Sequence, residues 1–217
     1  MLKKMIILSL LCYLTLIPLS FAEEAQTYIS KGNALAKEKK YEEAIKEYEE
    51  ALKLEPKNIK AYLSLGLIYA NSGDLSKALH YAEKASQIDP SYTSFYNLGL
   101  IYATKKEPSK AVESFERALA INPTSYLAEY QRGLAYASQE DYDKAIECYN
   151  HVIELNPYFD NARLALTGAL IKKGDKNSAL LQVEELRKMK KDTLAEALKQ
   201  RIDEKESTAQ TSRDNGT

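Results

Sequence analysis

The sequence predicts an all-α fold assembled from tandem helix–turn–helix units, and three series of residues predict it. A glycine recurs as Gly32, Gly66, Gly99 and Gly133, at spacings of 34, 33 and 34. An alanine recurs as Ala44, Ala78, Ala111, Ala145 and Ala179, at 34, 33, 34 and 34, and a proline as Pro56, Pro90, Pro123 and Pro157, at 34, 33 and 34. Three markers that keep one phase identify a repeat protein, in which each unit buries its apolar face on its neighbours.

The clearest unit is Phe95 to Pro123. Phe95, Leu98 and Tyr102 recur at intervals of three and four and so share one face of a 3.6-period helix. Gly99 interrupts that face, where glycine costs a helix about 1 kcal/mol relative to alanine. The cost is explained if a second helix must approach closely there. Lys105-Lys106-Glu107 breaks the pattern, and Pro108 suits the first turn of a new helix, where its missing N–H would be unpaired anyway. The second helix runs through Ala111, Val112, Phe115, Ala118 and Leu119 and ends at Asn122-Pro123.

Phe95, Leu98, Gly99, Tyr102, Ala111, Phe115 and Pro123 fill the pattern W-x2-L-G-x2-Y…A-x3-F…P, with Phe at the first position. The stretch from Ala25 to Thr193 therefore resembles an array of tetratricopeptide repeats. The resemblance implies a right-handed α-solenoid of five repeats plus a C-terminal capping helix. It implies the first helix of each unit on the concave side, and binding of a protein or peptide there. Fold alone does not name a partner.

The elements follow in order. Residues 1–22 have Lys3 and Lys4, an apolar run from Met5 to Ile17, and small residues at Ser20 and Ala22. That is a secretory signal peptide pattern with cleavage expected after Ala22; the alternative is an uncleaved inner-membrane anchor over residues 5–21, short for a span. Residues 25–58 form the first repeat, with Lys31 in place of the usual leucine before Gly32 and a turn at Glu38-Lys39-Lys40. Residues 59–91 form the second, where Gly73 tolerates left-handed dihedrals and Asp74 caps the next helix. Ala82 stands where the other units carry a larger side chain, so a thinner core is expected.

Residues 92–125 form the third repeat, shorter by one residue in the loop before it, which leaves the helix register intact. Residues 126–159 form the fourth, with Tyr136, Tyr142 and Tyr149. Residues 160–193 are a divergent fifth, with Thr167 in the glycine slot and Lys191 in the proline slot. Leu194, Leu198 and Ile202 give residues 194–206 a narrow apolar stripe, as a terminal cap requires. Residues 207–217 are polar, without periodicity, and are expected to be disordered.

Charge narrows the function. The chain holds 30 basic and 31 acidic residues, for a net charge of −1; loss of residues 1–22 would leave 28 basic residues and −3. Without a clustered basic face, no nucleic-acid partner is expected. Nor is a catalytic constellation present: there is no Gly-rich phosphate loop and no G-x-S-x-G elbow. Glu42, Glu43, Glu47, Glu49 and Glu50, interleaved with Lys46, read as a solvated helix face. No enzyme activity, small-molecule substrate, cofactor or metal is expected.

Cys148 and His151 share a helix face at i and i+3, but two ligands make a poor metal site. The equivalent slots hold Glu47, Tyr81, Ser114 and Gln182, and Glu50, Lys84, Arg117 and Glu185. That polarity predicts an exposed outer face, on which Cys148 could pair between chains in an oxidising compartment.

By the family resemblance, the inward slots are Ile29, Asn33, Ala36 and Lys37 in the first unit, and Leu63, Leu67, Ala70 and Asn71 in the second. The third supplies Tyr96, Leu100, Ala103 and Thr104; the fourth Tyr130, Leu134, Ala137 and Ser138; the fifth Leu164, Gly168, Ile171 and Lys172. The alanines leave room. Leu63, Leu67, Tyr96, Leu100, Tyr130 and Leu134 form an uncharged strip, of the kind that marks an interaction site. Ile29 and Leu63 stand where some members place lysines to grip a terminal carboxylate, which argues against such a clamp, although Asn33 matches one of its positions. Tyr96 and Tyr130 suit framework and contact equally. The expected function is an exported scaffold of a bacterial cell envelope that binds an apolar protein segment. The alternatives are a self-associating structural component, or an accessory subunit of an envelope enzyme or secretion complex.

Overall fold

The computed structural model describes residues 21–214, which form helices and turns with no strand among the described residues. Helix α1 is described over residues 21–37. It is followed by α2 (Tyr41–Leu54), α3 (Ile59–Ser72), α4 (Leu75–Ile88), α5 (Tyr92–Thr104) and α6 (Pro108–Ile121). Then come α7 (Tyr126–Ser138), α8 (Tyr142–Leu155), α9 (Asp160–Lys173), α10 (Lys176–Lys188) and α11 (Asp192–Asp214). The expected leader lies outside the described residues apart from Phe21 and Ala22, which belong to α1. Among the described residues no helix is long and apolar enough to cross a membrane. The chain is an all-α array of helix–turn–helix repeats.

Local chemistry explains where these helices start and stop. Asn58, Asp74, Ser91, Ser125, Asp141 and Asp175 each accept a backbone N–H three residues on, at 3.0–3.4 Å. Each satisfies one orphan donor of the first turn. Helix α6 starts on Pro108 as expected. The turn inside each repeat places one residue in the left-handed region, at a constant position: Lys39 (φ 61°), Gly73 (87°), Lys106 (59°), Glu140 (61°) and Gly174 (90°).

Helices α1–α5 form one compact unit and α6–α11 a second, divided between Lys105 and Lys106, inside the third repeat. In the first unit, α3 packs on α2, α4 and α5, around Ile29, Ala44, Tyr48, Leu65, Ile68 and Tyr69. The glycine slot works as its spacing suggested where an aromatic opposes it. A β-carbon on Gly32 would lie 2.7 Å from Cε1 of Tyr48. Opposite Gly66 the slot holds Ala82, and that β-carbon would meet nothing closer than the Ala78 carbonyl oxygen at 3.5 Å. The thinner core expected at Ala82 is filled from beside it. Tyr81 stacks on Tyr69 with centroids 5.5 Å apart and planes 2° apart, and Ile101 reaches to 3.8 Å of the Gly66 site.

In the second unit, α7 packs on α6, α8 and α9, and α10 packs on α9 and α11. The fifth repeat exchanges sizes between its facing slots. Thr167 replaces the glycine, fully buried, while Val183 replaces the aromatic. The Thr167 hydroxyl donates to the Arg163 carbonyl at 2.8 Å, so its burial leaves no donor unpaired. Helix α11 buries Ala195, Leu198 and Ile202 in the core it shares with α9 and α10. It continues past residue 206 to Asp214, so the expected disorder of residues 207–214 is corrected. Lys205, Glu206, Ala209 and Gln210 favour helix, and no glycine or proline intervenes before Gly216.

Candidate functional site

In the first unit, Leu63 and Leu67 lie one turn apart on α3 and point the same way. Leu67 is 59% exposed and Leu63 half-buried. Beside them α5 offers half-buried Tyr96 and Leu100, with Ala103 and Thr104 exposed. Tyr96 stacks on Tyr92 at 5.6 Å and 14°, which holds its ring along the helix. Neither α3 nor α5 contains an aspartate or glutamate. The face is therefore apolar, exposed in part, and free of negative charge from its own helices.

Two inward residues of the first unit differ from expectation. Ile29 is only 1% exposed and belongs to the core with Ala25, Ala44, Ala61 and Leu65, so it lines no groove. Its side of α1 faces the core formed with α2 and α3. Asn33 is exposed, but its Oδ1 accepts the hydroxyl of buried Tyr48 at 2.7 Å. That amide satisfies a core tyrosine, and Asn71 remains exposed at the far end of α3.

The second unit carries a similar stripe on α7. Leu134 is 38% exposed, and Tyr130 is braced by Tyr149 (5.9 Å, 48°) and Phe159 (5.1 Å, 87°). Bracing is thus an observed role of Tyr130. Leu127, absent from the expected set, is also exposed. Its spacing of three from Tyr130 and seven from Leu134 was the available signal. On α9, Leu164 and Ile171 are half-buried, and Gly168 has open space where a side chain would be.

Of the two series of polar slots, that of His151, Lys84 and Arg117 is exposed as expected, while that of Cys148 is covered. Cys148 is 2% exposed, not on an open outer surface. It lies against Glu129, only 3% exposed, and Arg132, both on α7. Arg132 Nη2 donates to Glu129 Oε1 at 2.8 Å, and His151 Nδ1 approaches that oxygen to 3.5 Å. Burial, offset in part by Arg132, pushes the Cys148 thiol up to about 12. Glu129 and Arg132 occupy the slots held by Phe95 and Leu98 in the third repeat, so an ion pair replaces an aromatic and a leucine. Related slots in other repeats hold Lys31–Glu47 at 2.6 Å and Arg163–Gln182 at 3.3 Å. Among the described residues no three His, Cys, Asp or Glu side chains gather as a metal site would require.

These observations agree with comparison to known proteins. A model described as TPR repeat matches residues 32–73, and the Tetratricopeptide repeat model matches residues 59–92, 93–125 and 126–159. A stretch of 77 residues is 42% identical to Hsp70-Hsp90 organizing protein 3 of Arabidopsis thaliana, covering 36% of this chain and 13% of that protein. Photosystem I assembly protein Ycf3 of Rippkaea orientalis is 37% identical over 76 residues, 34% of this chain and 44% of its own. The chain thus spans a small part of the first of these relatives and under half of the second. Among solved structures, MamA superposes with a TM-score of 0.72 at 29% identity, covering 79% of this chain and 94% of its own. YrrB, described as a TPR protein with an unusual peptide-binding site, superposes at 0.68 with 25% identity, covering 82% and 93%.

Proposed function

Because this chain belongs to the tetratricopeptide-repeat family, whose models it matches without a break from residue 32 to residue 159, we propose that it is an exported, non-catalytic scaffold. It binds an apolar segment of another cell-envelope protein on the face of α3 and α5 and holds that protein in an assembly. The observation that carries this reading is the exposure of Leu67 beside Leu63, Tyr96 and Leu100 on helices without acidic residues. Burying such a strip gains about 25 cal/mol for each Å² removed from water. Peptide binding by a structural relative supports the same use of the fold. Export rests on the leader pattern of residues 1–22.

The test is capture of partners from an envelope extract, identified by mass spectrometry, with the native chain and with Leu67→Glu/Leu100→Glu. Loss of a specific partner at unchanged helicity is the expected result; equal capture by both overturns the assignment of the face. N-terminal sequencing of the protein from cells should give Glu23 as first residue, and an intact Met1 would remove the cleavage step.

A further inference from the structure

We propose that the segment docking on α3 and α5 carries an acidic side chain beside its apolar core, received by a cavity at the N-terminal end of α3. This rests on the docking-face reading above and specifies the partner's chemistry. The cavity, of about 710 Å³, is lined by Gln26 of α1, by Glu55, Lys57 and Asn58 of the α2–α3 turn, and by Ile59 and Lys60 of α3. Lys60 relates it to the apolar strip. Lys60 precedes Leu63 by three residues and Leu67 by seven, so all three stand on one stripe of α3.

The polar groups lining the cavity are unequally satisfied. Asn58 is used at both ends: its Oδ1 accepts from the Ala61 N–H at 3.1 Å, and its Nδ2 donates to Glu55 Oε2 at 2.5 Å. Gln26 donates to Ser30 and accepts from Lys60 Nζ at 3.5 Å. Lys57 and Lys60 carry the exposed ammonium groups of the lining, and neither forms an ion pair among the described residues, although Lys60 donates to Gln26. Glu55 is the one carboxylate lining the cavity, already engaged by Asn58. Two cations against one anion favour a negative occupant. A basic flank would be repelled, and a neutral one would leave both ammonium groups without a counter-charge.

The test uses the full chain and synthetic peptides of about twelve residues with a leucine-rich core, blocked at both ends and flanked by two glutamates, two glutamines or two lysines. Fluorescence anisotropy at low salt should give the glutamate peptide an affinity about three- to tenfold above the glutamine peptide, with the lysine peptide weakest. Lys57→Gln/Lys60→Gln should remove the difference between the glutamate and glutamine peptides, and salt at about 0.5 M should do the same. Equal affinities, or a preference that survives the double substitution, overturn the acidic flank and leave the docking face standing. A glutamine peptide with a free C-terminal carboxylate that matches the blocked glutamate peptide also overturns it, since the cavity would then take a chain end. Undiminished binding to Leu67→Glu of native circular dichroism, or no binding of any peptide, overturns the docking face itself.

Discussion

Gly133 lies against the ring of Tyr149 so closely that a β-carbon on it would sit 2.6 Å from Cε1, and 3.0 Å from the β-carbon of Cys148. Tyr149 is 1% exposed, with the Tyr130 ring 5.9 Å away. Gly133→Ala should therefore lower stability by about 1–3 kcal/mol through overpacking. Gly32→Ala should behave likewise against Tyr48, whose hydroxyl is tied to Asn33. Gly66→Ala meets only ordinary contacts and should be neutral or stabilising by up to about 1 kcal/mol, from helix propensity. Urea denaturation of the three variants checks this, and equal destabilisation at all three positions would refute it.

The buried pair Glu129–Arg132 should be costly to break and cheap to replace. Glu129→Gln or Arg132→Ala alone leaves a charge without its partner in a dry place, at about 3–5 kcal/mol for a fully buried pair and less here because Arg132 is partly exposed. The double change Glu129→Phe/Arg132→Leu installs the residues of the third repeat and should leave stability unchanged or raised. Denaturation midpoints of the three variants provide the comparison.

Cys148 should be inert in the folded protein. Its thiol sits above the unfolded value of 9.0, at about 12, chiefly through burial. A disulfide reagent at pH 8 should leave it unmodified until urea opens the fold, and oxidant should not link two chains through it. The raised value also gives a sign. The folded state holds the proton more tightly, so this contribution is complete below pH 9 and declines as pH rises from 9 towards 12. Cys148→Ala should flatten the alkaline slope of stability measured over that window.

The left-handed turn position offers a gain. Lys39, Lys106 and Glu140 hold there a conformation that Gly73 and Gly174 adopt freely. Glycine at all three should raise stability by about 0.5–1 kcal/mol each, once its greater freedom in the unfolded chain is deducted. Gly73→Ala should lower it by a comparable amount. Thermal melts suffice.

The marker residues were legible because the packing that selects them repeats. A tyrosine ring meets the glycine in the first and fourth repeats, and a proline follows the second helix of the first four. The environment of Cys148 was not legible from the same alignment of slots. Glu47 and Gln182 are polar there, yet they are partly covered and engaged by Lys31 and Arg163. Polarity recorded a partner across the helix pair, not access to water. Ile29 shows the converse: its slot faces a groove by family likeness, but its side chain is buried in the core. The cavity beside Lys60 depends on how a turn meets α1, a distance that no local periodicity encodes.

The charged couple inside the fourth repeat bears on how such a gene can change. Blocks of 34 residues with alike interiors can be duplicated, lost or shuffled by recombination at little structural cost. The one holding Glu129 and Arg132 pairs them with each other and sets them against Cys148 of its second helix, so an exchange between α7 and α8 would face the ion pair with another block's residue in the Cys148 slot. Those side chains travel together when the block moves whole, and constrain only where inside it an exchange can fall.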